Sequence, residues 1–213
     1  MEKILVAGAN GTTGKEIINL LQDHSSFEPI AMIRKEEQQA QFDNQNVKTV
    51  LADLEGDLTE AVKGVDRVIF AAGSGGNTSD QKTIDVDENG AINLIDRSKA
   101  AGVRKFVMLS AMGTDKPSDN PDLEQYLKSK KAADDHLKAS FLNYSIVKPG
   151  RLTNAEKTNR IKAKTRLNEY GEISRKDVAQ VLVDCLPPNM LQNKDFEILS
   201  GDKAIEIALT EVK

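Results

Sequence analysis

Ile4-Leu5-Val6-Ala7-Gly8-Ala9-Asn10-Gly11-Thr12-Thr13-Gly14 decides how the chain is read. Four apolar residues run into a turn with glycines at 8, 11 and 14, and a helical pattern over Gly14–Gln22 follows. Strand, glycine turn and helix in this order form a phosphate cradle. One glycine makes the tight turn, one lets the backbone approach a pyrophosphate, and one lets helix and strand pack closely. The helix N-terminus presents free N–H groups and the positive end of its dipole to the phosphates. Gly8, Asn10, Gly11, Thr12, Thr13 and Gly14 are therefore candidate cofactor contacts. A tight turn with no ligand is the plainer alternative.

The alternation continues outward from that turn. Apolar runs at 29–33, 47–51, 65–72, 104–109, 144–147 and 196–199 read as strands. Patterns at 36–42, 58–62, 84–101, 122–140, 174–186 and 204–212 read as helices, with Ser174 an N-cap and Asp177 three residues on. The strands are continuous apolar runs, as parallel strands covered on both faces are. This repetition predicts an α/β fold with a doubly wound parallel sheet. Residues 151–172 show no core periodicity, and 156–166 reads as a solvated loop able to cover a substrate. The 213 residues are expected to form one domain, with 151–213 a small C-terminal substrate and lid region.

Composition removes other classes. Lys+Arg 29 against Asp+Glu 33 leaves a net charge of −4, which supplies no footprint for nucleic acid or anionic membrane. Aromatics at 4% with no Trp make a base-stacking platform unexpected. No apolar run nears the roughly 20 residues of a membrane span, and the first is too short for a signal peptide. Cys185 is the only cysteine, so no internal disulfide forms; beside Val181, Leu182 and Leu186 it reads as a packed thiol. Neither His24 nor His136 has metal-ligand spacing. Asp85, Asp87 and Glu88 read as acids complementing a helix dipole. The expectation is a cytoplasmic globular monomer or homodimer with a small-molecule substrate, no metal, and no nucleic-acid or membrane partner.

The second strand ends at Arg34-Lys35, where an NAD site places an acid for the ribose 2′-OH. A guanidinium there suits a 2′-phosphate through bidentate bonds, so NADP(H) is favoured over NAD(H), although Glu36-Glu37 opposes that field. A solvated strand end is the alternative for Arg34. Ala71, Ala72 and Gly73 close the fourth strand with small residues that let backbone lie against a ribose, and Ser74-Gly75-Gly76-Asn77 reads as a flexible loop beyond. Tyr126 and Lys130 share a helix face at i and i+4. A nearby ammonium favours the phenolate, which predicts a lowered Tyr126 pKa and proton transfer at a carbonyl or hydroxyl carbon. Ser110, after the fifth strand, is placed to hydrogen-bond the substrate oxygen. Taken singly, these three also fit a packing residue, a solvated helix face and a strand-end polar group.

The Gly8-x-x-Gly11-x-x-Gly14 spacing resembles the atypical and extended branches of the short-chain dehydrogenase/reductase superfamily. So do Phe70–Gly75, Gly102–Val107, Tyr126–Lys130 with Ala132-Ala133-Asp134, Asn143–Gly150 and Ile173–Ala179. Across essentially the whole chain these stretches resemble small bacterial NAD(P)-binding oxidoreductases and sugar epimerases of the YhfK type. The resemblance implies an NAD(P)-binding Rossmann fold with Ser110, Tyr126 and Lys130 catalytic and Lys130 also at the cofactor. It implies that Asp53 and Leu54 meet the adenine, a surface Asp in a turn being the alternative, and that Pro149 and Gly150 lie by the nicotinamide.

The expected activity is that of an NADP(H)-dependent oxidoreductase acting on a small carbonyl, alcohol or flavin-like substrate. An epimerase or dehydratase on a sugar shares every motif but needs a substrate lobe, and 63 residues follow Gly150. A non-enzymatic sensor resembling the NmrA-like proteins that read the NADP(H) redox state has no need of the Tyr–Lys pair.

Overall fold

Each expected apolar run contains a strand in the computed structural model, which describes residues 1–75 and 78–213. The strands are β1 (Glu2–Ala7), β2 (Phe27–Ile33), β3 (Lys48–Leu51), β4 (Arg67–Phe70), β5 (Lys105–Leu109), β6 (Tyr144–Pro149), β7 (Arg151–Thr153), β8 (Arg160–Lys164), β9 (Glu172–Ser174), β10 (Lys194–Ser200) and β11 (Lys203–Ala204). The main sheet has the order β11-β8-β10-β6-β5-β4-β1-β2-β3. From β3 to β10 every pairing is parallel, while β8 pairs antiparallel with both β10 and β11. The order 3-2-1-4-5-6 is that of a Rossmann sheet. β7 and β9 form a separate two-stranded parallel pair.

Helices cover both faces: α1 (Thr12–Gln22), α2 (Gln39–Asp43), α3 (Asp80–Thr83), α4 (Ala91–Ala100), α5 (Glu124–Ala139), α6 (Arg175–Asp184) and α7 (Ile205–Thr210). Alternate residues of β1 feed two cores. Ile4 and Val6 pack with Ile17, Leu21, Val178 and Leu182 of α1 and α6, whereas Leu5 and Ala7 pack with Leu94, Ile95, Ala133 and Leu137 of α4 and α5. Each such Ile, Leu or Val contributes roughly 1.5–3 kcal/mol. Because both faces of β1 are apolar, the hydrophobic pattern alone cannot fix its register. The turn does so. Gly8 has φ +87°, and a Cβ there would lie 2.6 Å from the Ala72 nitrogen. A Cβ on Gly14 would lie 2.1 Å from the Gly8 carbonyl oxygen, so helix and turn close only around glycine.

Several local expectations are corrected. Residues 58–62 are not a helix: 59–64 form turns, and Gly64 at φ +67° ends them after too few residues to nucleate one. Leu58, Ala61 and Val62 are buried nonetheless. The span 84–101 is not one regular helix, because Ile84–Gly90 is π-helical between α3 and α4. Residues 156–166 are not simply a solvated loop. They contain β8, where Ile161 and Ala163 are buried between exposed Arg160, Lys162 and Lys164. The expected Ser174 cap is present: Ser174 Oγ accepts from Asp177 N at 3.0 Å. Asp177 in turn accepts from the backbone of Thr158 and Asn159, which ties the segment before β8 to α6. The packed-thiol reading of Cys185 agrees with its full burial, which pushes the thiol up to about 12. Among the described residues no helix is long and apolar enough to cross a membrane.

Candidate active site

Strand order reverses between β1 and β4, and a crevice opens at the C-terminal ends of the strands there, as such sheets require. It is a cleft of about 340 Å³. Gly8, Asn10, Gly11, Arg34, Asp53, Leu54, Ala71, Ala72 and Gly73 all line it, so residues far apart in sequence meet in one place. Thr12, Thr13 and Gly14 begin α1 instead; Thr12 is exposed, and Thr13 and Gly14 are buried. Gly11 caps α1 without a side-chain bond, which leaves the first-turn N–H groups to a ligand. The arrangement fits a dinucleotide, since only glycine at 8 keeps the turn against Ala71 and Ala72. Gln38 Oε1 accepts from the backbone N–H groups of Arg34 and Lys35 at 2.9 and 3.2 Å, which fixes the segment bearing Arg34. Asp53 caps its own turn by accepting from Glu55 N at 3.1 Å. Of the loop expected after Gly73, Gly76 and Asn77 lie outside the described residues.

A second cavity, of about 780 Å³, holds Ser110, Tyr126, Pro149 and Gly150. Met112, Leu123, Leu127, Leu152 and Tyr170 supply its large apolar surfaces, and Asn120 is an uncharged polar member. Its charged members, Arg151 and Glu172, lie opposite each other on β7 and β9 and pair at 2.6 Å. Lys130 is 3% exposed and lies between the two cavities. Its ammonium is 3.5 Å from the Ala72 oxygen of the cleft and 5.8 Å from the Tyr126 ring of the pocket.

The expected electrostatics of Tyr126 are corrected. Lys130 does favour the phenolate, but burial of the phenol outweighs it, and Asp87 and Asp134 add to the rise, so the Tyr126 pKa is raised. Lys130 itself is held 3.0 Å from Asp87 Oδ1. Burial alone would lower the ammonium, yet the Asp87 charge and the Tyr126 contribution leave it above its ordinary value. The reading of Asp87 as a helix-dipole acid is therefore wrong. It is fully buried, delivered by the π-helical turn, and its other oxygen accepts from Ser74 N at 2.9 Å.

Two further residues escape the sequence reading. Asp134 of α5, 2% exposed, accepts the Ser110 hydroxyl at 2.8 Å. Burial pushes its carboxyl up to about 6, opposed by Lys148, Ser110 and more weakly by Lys130. Lys148 of β6, 1% exposed, reaches Asp195 at 3.0 Å, Asp115 at 3.4 Å and Asp134 at 3.7 Å. Signals for both exist in the sequence. Asp134 follows Lys130 by four residues on the Tyr126 face, and Lys148 is a lone charge in an apolar strand.

The chain is similar to known proteins along its whole length. A Bacillus subtilis protein described as an uncharacterized sugar epimerase, YhfK, is 39% identical over 99% of this chain and 100% of its own. A Bacillus halodurans structure, described as a candidate NAD-dependent epimerase/dehydratase, is 37% identical with a TM-score of 0.94, covering 99% of this chain and 100% of that one. The oxidoreductase YlbE of Lactococcus lactis is 29% identical with a TM-score of 0.86, covering 98% and 95%. A family model described as NAD(P)H-binding matches residues 8–188, and the chain belongs to this NAD(P)H-binding family of oxidoreductase- and epimerase-like Rossmann proteins.

Proposed function

We propose that this chain is an NADP(H)-dependent oxidoreductase that reduces a small carbonyl or flavin-like substrate and in reverse oxidises the alcohol. One observation carries the reading. Ser110 and Tyr126 share a pocket lined mostly by apolar side chains, and its one cation, Arg151, is matched by Glu172 in an exposed pair, so the lining carries no net positive charge. A nucleotide sugar brings a diphosphate that calls for uncommitted cations, and a small apolar carbonyl compound does not. Arg34 at the other cavity supports the 2′-phosphate preference.

The nicotinamide, when bound, supplies the hydride. The residues of the chain handle the oxygen. Tyr126, with its raised pKa, stands as the phenol and gives its proton to the substrate oxygen. Ser110 hydrogen-bonds the same oxygen and orients it. Lys130, paired with Asp87, holds a fixed positive charge behind the Tyr126 ring and stabilises the phenolate left after proton transfer.

An epimerase on a sugar is the second reading, favoured by similarity to proteins described as epimerases. The two separate in one experiment: titration of the protein with NADPH and NADH, then a panel of carbonyls, quinones, flavins and nucleotide sugars. The reductase reading expects NADPH oxidation with one of the first three. Conversion of a nucleotide sugar with no net change in cofactor would replace it with the epimerase.

A further inference from the structure

Ser110 is the pocket residue whose hydrogen bonding is already committed. Its Oγ lies 2.8 Å from Asp134 Oδ2, and the two residues are 3% and 2% exposed. Asp134 is poorly compensated for a buried carboxyl group. Its Oδ1 has no hydrogen-bond partner among the described residues. Lys148, from β6, stands 3.7 Å away and turns its shorter contacts to Asp195 and Asp115. Those acids also take Lys138 of α5 and Arg166 of the segment after β8. Lys130, one turn earlier on α5, is taken by Asp87. Each nearby cation therefore has a closer acid than Asp134.

We propose that Asp134 is a positioning residue that decides which way the Ser110 hydroxyl proton points, and so whether Ser110 offers the substrate oxygen an acceptor or a donor. An ionised carboxylate only accepts, so Ser110 must spend its proton on Asp134 and turn a lone pair to the pocket. That arrangement matches an alcohol, which donates. A protonated Asp134 can donate to Ser110 Oγ, and the Ser110 O–H is then released to the pocket. That arrangement matches a carbonyl oxygen, which accepts. The crossover falls where Asp134 titrates, about 6. No covalent bond changes; one proton taken up by the carboxyl reverses the direction of two hydrogen bonds.

The reference to a substrate oxygen rests on the reductase reading, so the test has an arm that needs no turnover. The full-length protein, labelled with 13C at aspartate carboxyl and serine β carbons, is titrated by NMR from pH 8.5 to 4.5, with Asp134→Asn and Ser110→Ala supplying assignments. One aspartate signal, missing in Asp134→Asn, should titrate near pH 6 and carry the Ser110 β carbon with it. In Ser110→Ala its midpoint should move up, because a hydrogen bond to the charged form is gone. An Asp134 signal that stays ionised throughout, or a Ser110 signal that does not follow it, overturns the proposal whether or not a substrate is found. The second arm uses the carbonyl compound reduced in the panel. Its kcat/KM should fall about tenfold per pH unit above the Asp134 midpoint, and Asp134→Asn should flatten that limb. Co-titration with an unchanged pH profile in Asp134→Asn also overturns the positioning role. Absence of turnover on the whole panel counts against the reductase reading and leaves the NMR arm to decide the coupling of Asp134 and Ser110.

Discussion

Replacing Asp87 with Asn removes one charge from a buried pair and leaves its shape and its acceptor for Ser74 N in place. Asp87 is fully buried and the Lys130 side chain is 4% exposed, so the ammonium left behind has no solvent to turn to. Breaking such a pair from one side costs about 3–5 kcal/mol. At this chain length each kcal/mol lowers Tm by about 2–4 °C, so Asp87→Asn should melt roughly 6–20 °C below the parent in calorimetry at pH 7. The pH dependence carries its own sign. In the parent, the Lys130 pKa is raised above its ordinary 10.5, so its contribution is fully present below that value and is lost only as pH rises through the raised one. Between pH 6 and 9 the parent gains and loses nothing from this group. In Asp87→Asn burial acts unopposed by Asp87, the folded-state pKa falls below the unfolded value, and stability rises with pH. The gap to the parent should narrow by up to about 1.4 kcal/mol per pH unit. Adding Lys130→Met should recover much of the loss, because two charges leave together. A Tm within 2 °C of the parent, a gap that widens with pH, or no recovery in the double variant would refute the pair as the organiser of this site.

Arg34→Ala should weaken NADPH binding by about ten- to a hundredfold, the loss of charged hydrogen bonds worth roughly 1.5–3 kcal/mol, and barely change NADH; fluorescence titration showing equal losses would sink the 2′-phosphate role. Tyr126→Phe should cut turnover of the panel substrate by about 10²- to 10⁴-fold while NADPH affinity stays within a factor of about two to three, and an unchanged rate would remove Tyr126 as the proton donor. Ser174→Ala deletes the cap of α6 and its bond with Asp177, so it should cost about 1 kcal/mol, read as a drop of about 2–4 °C in Tm. No change in Tm would mean that the α6 cap contributes nothing.

What is legible in the sequence follows from how locally each feature is determined. Within the Gly8–Gly14 turn the positive φ of Gly8 and the contacts of Gly11 and Gly14 with Gly8 and Ala9 are local, so residue types announce it, whereas the close approach of Gly8 to Ala71 and Ala72 is tertiary. The cleft follows, because strand ends in a parallel sheet of known order must meet at the reversal. β8 is hidden because its alternation consists of one Ile and one Ala among charged neighbours, a weak period over five residues. Asp87 misleads because a π-helical turn shifts the face on which a residue emerges, and a 3.6-residue period does not contain that shift. The sign of the Tyr126 shift is out of reach for a related reason. Helical spacing brings Lys130 near, but burial, Asp87 and Asp134 are tertiary facts, and together they outweigh it.

These tertiary facts also bear on which reaction the site suits. An epimerase and the alcohol-oxidising direction of a reductase both begin by taking a proton from a hydroxyl, so the Tyr126 protonation state favours carbonyl reduction as the direction of reaction without separating the two enzymes. Burial and two nearby acids push Tyr126 toward the phenol, the form that gives a proton away. The pocket is what separates the two enzymes. Of the residues after Gly150, β8, β10, β11, α6 and α7 extend the sheet and its cover, and only the Arg151–Leu152 and Tyr170–Glu172 stretches reach the cavity. They bring one neutralised ion pair and the apolar surfaces of Leu152 and Tyr170. Tyr170 is 94% exposed and Leu123 47%, so the pocket wall keeps wet apolar area that a ligand of matching character would cover. A sugar diphosphate would leave that area wet and its own charges unmet, whereas a flat or small carbonyl compound would satisfy both, with Ser110 and Tyr126 meeting its one oxygen.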